Sequence, residues 1–210
     1  MSEPQGRDIR DEQAHWPVVS STEVAHSRLV SVQNDKVQMP DGDVAERDMV
    51  LHPGAVAILA LDASDRVLLI RQYRHPVGYL LWEIPAGLRD VAGEPPWATA
   101  QRELLEEAGY RARDWRVLAD YYSSPGFSTE RLRIFLARDL EKVPAGERDF
   151  VPEAEEASLI VAWLSLDEAM AKIFAGELHN GPAIVGIFAG YAARSQGFAR
   201  LRPADAPEEQ

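Results

Sequence analysis

The sequence predicts an α/β (α+β) sandwich, helices covering a mixed sheet, with a small antiparallel sheet ahead of it. Three observations carry this expectation. Residues 54–61 form a nearly continuous apolar run, Gly-Ala-Val-Ala-Ile-Leu-Ala-Leu; β-prone segments and helical periodicity then alternate; and residues 17–50 are punctuated by the turn-forming Gln-Asn-Asp and Pro-Asp-Gly-Asp.

Taken in order, residues 1–16 are polar and read as a loosely ordered tail, as do residues 203–210. Between 17 and 50 the β-prone runs 18–24, 29–32 and 36–39 suggest the small antiparallel sheet. Residues 51–202 are expected to form the main domain. There, 54–61 and 67–73, joined by a turn at 62–65, read as a central hairpin, and a third β-prone stretch, 79–84, ends at Pro85. The pattern then becomes helical. Trp97, Leu104, Leu105 and Ala108 recur at helical spacing, Pro95 and Pro96 suit a first turn, and Gly109 stands where a helix-ending glycine belongs. Strands are expected again at 115–122 and 132–137, then a long acidic, proline-containing loop at 140–157, a strand at 159–164, and helices near 167–177 and 182–194.

A chain of 210 residues, 46% hydrophobic and 27% charged, suffices for one domain with a sizeable core. Its net charge of -12 repels polyanions at long range, which argues against nucleic acid and against an anionic membrane surface. With no cysteine, a disulfide framework, a thiolate metal site and a cysteine nucleophile are all excluded, so any metal must be held by oxygen or imidazole. No window approaches the roughly 18 apolar residues of a membrane span, and the first residues lack a secretory pattern, so a cytoplasmic location is expected.

The chemistry concentrates in Gly87-Leu-Arg-Asp-Val-Ala-Gly-Glu94, seven further residues, and Arg102-Glu-Leu-Leu-Glu-Glu-Ala-Gly-Tyr110. On a regular helix Glu103, Glu106 and Glu107 share about one third of the circumference, with Trp97, Leu104 and Ala108 opposite. This arrangement breaks two local rules. Glu103 and Glu107 are a like-charged i,i+4 pair, and Glu106 and Glu107 lie at the helix end that favours cations, at about 0.3 to 1 kcal/mol each. A divalent cation cancels such repulsion, and an oxygen-only donor set suits magnesium. Arg102, four residues before Glu106, is placed to orient that carboxylate. An ordinary solvated acidic face is the plain alternative for a bare E-x-x-E-E; the flanking Gly87, Glu94, Arg102, Gly109 and Tyr110 argue against it.

These residues resemble the Nudix box, G-x5-E-x7-R-E-U-x-E-E-x-G-U, where U is apolar. Two departures are visible: six residues rather than five separate Gly87 from Glu94, and Tyr110 fills the last apolar position. The resemblance implies a Nudix-type α/β/α sandwich with a loop-helix-loop, in which Glu103 and Glu107 are the principal metal ligands, Glu106 assists, and the backbone carbonyl of Ala86 completes a site. Magnesium is the implied cofactor, with manganese as a substitute.

Pro125, fifteen residues after Tyr110, and the segments Gln72-Tyr-Arg-His75, Trp82-Glu-Ile-Pro-Ala-Gly87 and Ser124-Pro-Gly-Phe-Ser-Thr-Glu130 resemble the bacterial, especially actinobacterial, ADP-ribose pyrophosphatases of that family. The implied reaction is hydrolysis of a nucleoside diphosphate sugar, ADP-ribose first, by a homodimer whose N-terminal segments are exchanged. Arg74 is placed to bind phosphate, while Phe127, Glu130 and Arg47 could serve an adenine. By the same resemblance the group that activates water lies in the acidic loop, Glu155 first and Glu156 second, with Glu153 nearby. Other nucleoside diphosphate sugars, dinucleoside polyphosphates and damaged nucleoside triphosphates stay open as substrates, as does a non-catalytic sensor of nucleotide sugars. The five histidines show no metal spacing and read as structural, Trp82 and Trp163 read as core aromatics, and Ser123 and Ser124 lack the surroundings of a nucleophile.

Overall fold

The computed structural model describes residues 9–144, 146 and 159–208. Strands β1 (Val18–His26), β2 (Ser31–Gln38) and β3 (Val44–Leu51) form an antiparallel three-stranded sheet, as expected. Its strands are drawn differently from the expectation. The Gln33-Asn34-Asp35 stretch read as a turn lies inside β2, where Asn34 donates to Asp48 across the pair (2.8 Å), and β3 runs through residues that had no strand assigned.

The central hairpin is corrected. Strands β4 (Ala55–Ala60) and β5 (Arg66–Arg74) follow one another in sequence but belong to different sheets, meeting at the bridge Leu61–Val67 and the Asp62 amide on the Arg66 carbonyl (3.0 Å). β4 pairs in parallel with β9 (Arg131–Lys142) and antiparallel with the short β7 (Ala86–Leu88). β5 lies between β6 (Tyr79–Glu83) and β10 (Ile160–Ser165). A strand buried on both faces belongs in the middle of a sheet, and all six residues of β4 are buried.

Alternation along the strands builds two cores. Ala57, Leu59, Ile134 and Leu136 face α2 (Leu166–Phe174) and α3 (Gly181–Arg194), whereas Val56, Ile58, Phe135 and Ala137 face Ala100 of α1 (Pro96–Glu103) and Leu104 just after it. The layers are therefore helix, sheet, helix, as the sequence predicted. Close approach of α3 to β4 depends on Gly190, where a Cβ would overlap the Leu59 side chain. Local signals agree with these helices: Ser165 and Glu168 form a reciprocal capping box on α2, and the Asn180 side chain accepts from the Ala183 amide to cap α3.

Strand β8 (Tyr110–Tyr122) starts five residues before the expected 115, and β9 runs to Lys142, into the expected loop. Residues 203–208 are not a loose tail. β11 (Arg202–Pro203) pairs with Val117 and Arg116 of β8, and Ala204 and Ala206 pack against the α1-side core. The reason is Arg133, 2% exposed on β9, whose guanidinium donates to the carbonyls of Ala206 (2.6 Å) and Pro207 (3.2 Å) as well as to Asp120. No helix among the described residues is long and apolar enough to cross a membrane.

Candidate active site

The helix carrying the acids begins as expected, with Pro96 in its first turn and no side-chain cap at Pro95. Its end differs. Leu104–Ala108 is a π turn, closed by Gly109 at φ 71 with its amide on the Leu105 carbonyl (2.9 Å). The wider turn shifts Glu106 and Glu107 from their positions on a regular α-helix, and such turns concentrate at functional sites. Leu104 and Ala108 are buried as predicted, but the inward positions before them are Thr99 and Ala100, while Trp97 is 37% exposed.

Around this turn the box residues meet. The Arg102 guanidinium donates to Glu103 Oε1 (2.7 Å) and Glu106 Oε2 (3.0 Å) and reaches Glu94 Oε2 (3.4 Å). Glu107 Oε2 accepts the Ala86 amide (2.9 Å), so the acidic turn is fastened to β7. Glu103 lies directly against Gly87, where a Cβ would overlap its carboxyl group. Despite the extra residue before it, Glu94 returns to the helix and accepts from Thr99 Oγ1 (2.8 Å). The Thr99 bond, aided by Arg102 and outweighing burial, holds the Glu94 carboxyl below its ordinary range. Burial alone disfavours charge on Arg102, but Glu103 and then Glu94 and Glu106 outweigh it and raise its pKa.

The oxygen-only donors suit a hard divalent cation, and Gly87 leaves room for Glu103 beside the Ala86 peptide. Among the described residues no three acidic or imidazole side chains already converge on one point. Glu103 and Glu106 instead converge on Arg102.

A second cluster joins the loop after β8 to the end of β3. The Val50 amide donates to the Phe127 carbonyl (2.7 Å), the Thr129 amide returns to the Val50 carbonyl (3.0 Å), and Phe127 presents an exposed ring. Glu130 accepts from Ser123 Oγ and faces His52 Nε2 at 3.7 Å, while His52 Nδ1 accepts the Gly54 amide (3.1 Å). Ser123 therefore has a carboxylate, not an imidazole, as its partner. Nearby, burial and then the Glu130 charge push the Tyr121 hydroxyl up to about 12.

The remaining expectations divide. Arg74 is held by both oxygens of the buried Glu83 (2.9 and 2.7 Å). Arg47 sits on β3 with its guanidinium on the Glu46 carbonyl (2.8 Å) and near Met39 sulfur, contacts internal to the N-terminal sheet. Glu153, Glu155 and Glu156 lie outside the described residues. Sequence reasoning missed Thr99, Glu83 and His52. A charged residue inside a β-prone run was the available signal for Glu83; Thr99 and His52 gave none beyond position.

Residues 51–183 match the family model for the NUDIX domain. The chain is 44% identical over 192 residues to the ADP-ribose pyrophosphatase of Mycobacterium tuberculosis (strain ATCC 25618 / H37Rv), covering 90% of this chain and 89% of that protein. It is 33% identical over 169 residues to the methanol dehydrogenase activator of Bacillus methanolicus, covering 80% and 89%. A solved structure described as an ADP compounds hydrolase superposes with a TM-score of 0.73 at 24% identity, covering 90% of this chain and 99% of that one, a likeness of fold.

Proposed function

The chain belongs to the NUDIX domain family, and from that premise we propose that it hydrolyses the diphosphate of ADP-ribose to AMP and ribose 5-phosphate. The observation that carries this reading is the acidic π turn, its Arg102 fork intact, docked on Ala86 and Gly87. A sensor that only bound a nucleotide sugar would have no chemical need of Arg102, Glu103, Glu106 and Glu107 together.

Glu103, Glu106, Glu107 and the Ala86 carbonyl would hold divalent cations, magnesium with manganese as its substitute. Bound there, the ions supply electrostatic stabilisation for charge developing on the phosphates. The chain's own residues do the rest. Arg102 keeps Glu103 and Glu106 in register with one another, and the Ala86 amide fixes Glu107. Arg74, steadied by Glu83, binds phosphate; Phe127 stacks on the adenine, and Glu130 and Arg47 take its polar edges. Glu155, with Glu156 as the alternative, orients or deprotonates the attacking water.

The same reading makes the protein a cytoplasmic homodimer with exchanged N-terminal segments. In its support, β1 is exposed along its whole length, and Val18, Val19 and Val24 on it, with Trp16 just before it, present apolar surface. Arg47 would travel on the exchanged sheet.

Turnover of ADP-ribose, other nucleoside diphosphate sugars and dinucleoside polyphosphates, with and without magnesium and with products identified, tests the proposal. Magnesium-dependent release of AMP and ribose 5-phosphate, faster than cleavage of the other compounds, is expected. Binding of ADP-ribose without cleavage, or faster cleavage of another compound, would overturn it.

A further inference from the structure

The family match ends at residue 183, yet residues 202–208 are bound firmly across the sheet and finish beside the catalytic box. Three fastenings hold them. β11 pairs with β8; Arg202 donates to Asp120 Oδ2 (2.7 Å); and buried Arg133, itself forked onto Asp120 (2.7 and 3.0 Å), donates to the carbonyls of Ala206 and Pro207. At that depth the Arg133 donors need acceptors, and Asp120 together with the Ala206 and Pro207 carbonyls supplies them, so the strap completes the bonding of the guanidinium.

At the end of the strap both Glu208 oxygens accept from Arg89 Nη1 (2.9 and 3.0 Å). Arg89 stands two residues after Gly87, in the connection between β7 and α1. Its amide donates to the Gly54 carbonyl (3.1 Å) and its side chain passes over Gly54, while its Nε is buried without an acceptor. A guanidinium in that position is costly unless a carboxylate holds it, and Glu208 does so with both partners only about a quarter exposed.

We propose that residues 202–208 are a positioning strap for the catalytic box, in which Glu208 holds Arg89 and thereby fixes the β7–α1 connection, which bears Glu94 and follows directly on Ala86 and Gly87 of β7. Its catalytic consequence rests on the hydrolase reading above. Glu208 and Arg89 act through the residues they steady, so the defect belongs in kcat rather than in substrate affinity.

Glu208→Gln and a chain lacking only residues 208–210 test this by two readouts, each compared with the unaltered chain. Hydrogen exchange of amides 88–94 should quicken in both, and kcat for ADP-ribose should fall roughly ten-fold with KM within two-fold, the size typical of losing an outer partner of a metal-site residue. Glu208→Asp should recover most of the rate. Unchanged exchange at 88–94 in both variants would overturn the strap, and so would a rate loss that merely follows loss of melting temperature. Should the wild-type chain cleave no diphosphate at all, the hydrolase reading falls, while the exchange measurement still decides whether Glu208 holds the box.

Discussion

Gly87 and Glu103 compete for one volume: a Cβ at position 87 would overlap the Glu103 carboxyl group and the methylene behind it. The requirement for glycine here is spatial, since Gly87 is not among the residues with positive φ. A strand without a side chain lets a helix carboxylate rest on its backbone, and Arg102 then meets that carboxylate at 2.7 Å.

Gly87→Ala should therefore leave the fold in place and damage the site. The overlapping atoms belong to a flexible side chain that can swing away, so melting temperature should drop only slightly. Displacing Glu103 by about 1 Å or more should lower kcat by roughly 100-fold. Turnover near the wild-type rate would show that Glu103 need not rest on β7.

Glu103→Gln and Glu107→Gln should each reduce turnover by orders of magnitude in a folded protein. The Glu107 case is the cleaner, because a glutamine oxygen can still accept the Ala86 amide while the charge is gone. Circular dichroism and thermal melts separate loss of charge from loss of fold. Near-normal rates in both variants would remove the acidic turn from the mechanism.

What the sequence made legible was local. The i,i+4 spacing placed Arg102 on Glu106, Gly109 ended the helix, and the alternation of elements gave the layers. What escaped was set at long range. β4 looked like one arm of a hairpin because β5 follows it, but its parallel partner is β9, with Ala55 opposite Leu132. The polar composition of 203–208 suggested a tail because it could not reveal a buried Arg133 in need of acceptors. A five-residue π turn has too little length to alter a periodicity, so Leu104–Ala108 read as ordinary helix.

Acid should loosen the strap through Asp120. Burial raises the pKa of that carboxyl, but its bonds to Arg133 and Arg202 outweigh burial and lower it below the ordinary 3.8. A group whose pKa is depressed on folding stabilises the protein above its unfolded pKa, and this contribution fades as pH falls through the folded value. Denaturant melts should thus lose stability below about pH 4. Asp120→Asn should be less stable at neutral pH by roughly 3 kcal/mol, because it leaves buried Arg133 without its counter-charge. Its pH dependence in that range should be flatter than wild type; equal slopes would locate the acid sensitivity elsewhere.

Arg102→Lys tests whether the fork or the charge is what the site needs. The guanidinium serves Glu94, Glu103 and Glu106 at once, from two nitrogens held in one plane. An ammonium keeps the charge but is a single point on a flexible stem, and it cannot meet three carboxylates in the same geometry. If charge neutralisation were all that mattered, lysine would restore most of the activity lost in Arg102→Ala. The structure predicts otherwise: kcat in the lysine variant should stay roughly 10- to 100-fold below wild type, and more magnesium should be needed for half-maximal rate, as for other losses of a group that orients metal-site carboxylates. Melting temperature should change less than in the alanine variant, which leaves the acids facing one another without a cation between them. Full recovery by lysine would mean that Arg102 merely offsets charge and does not set the positions of Glu103 and Glu106.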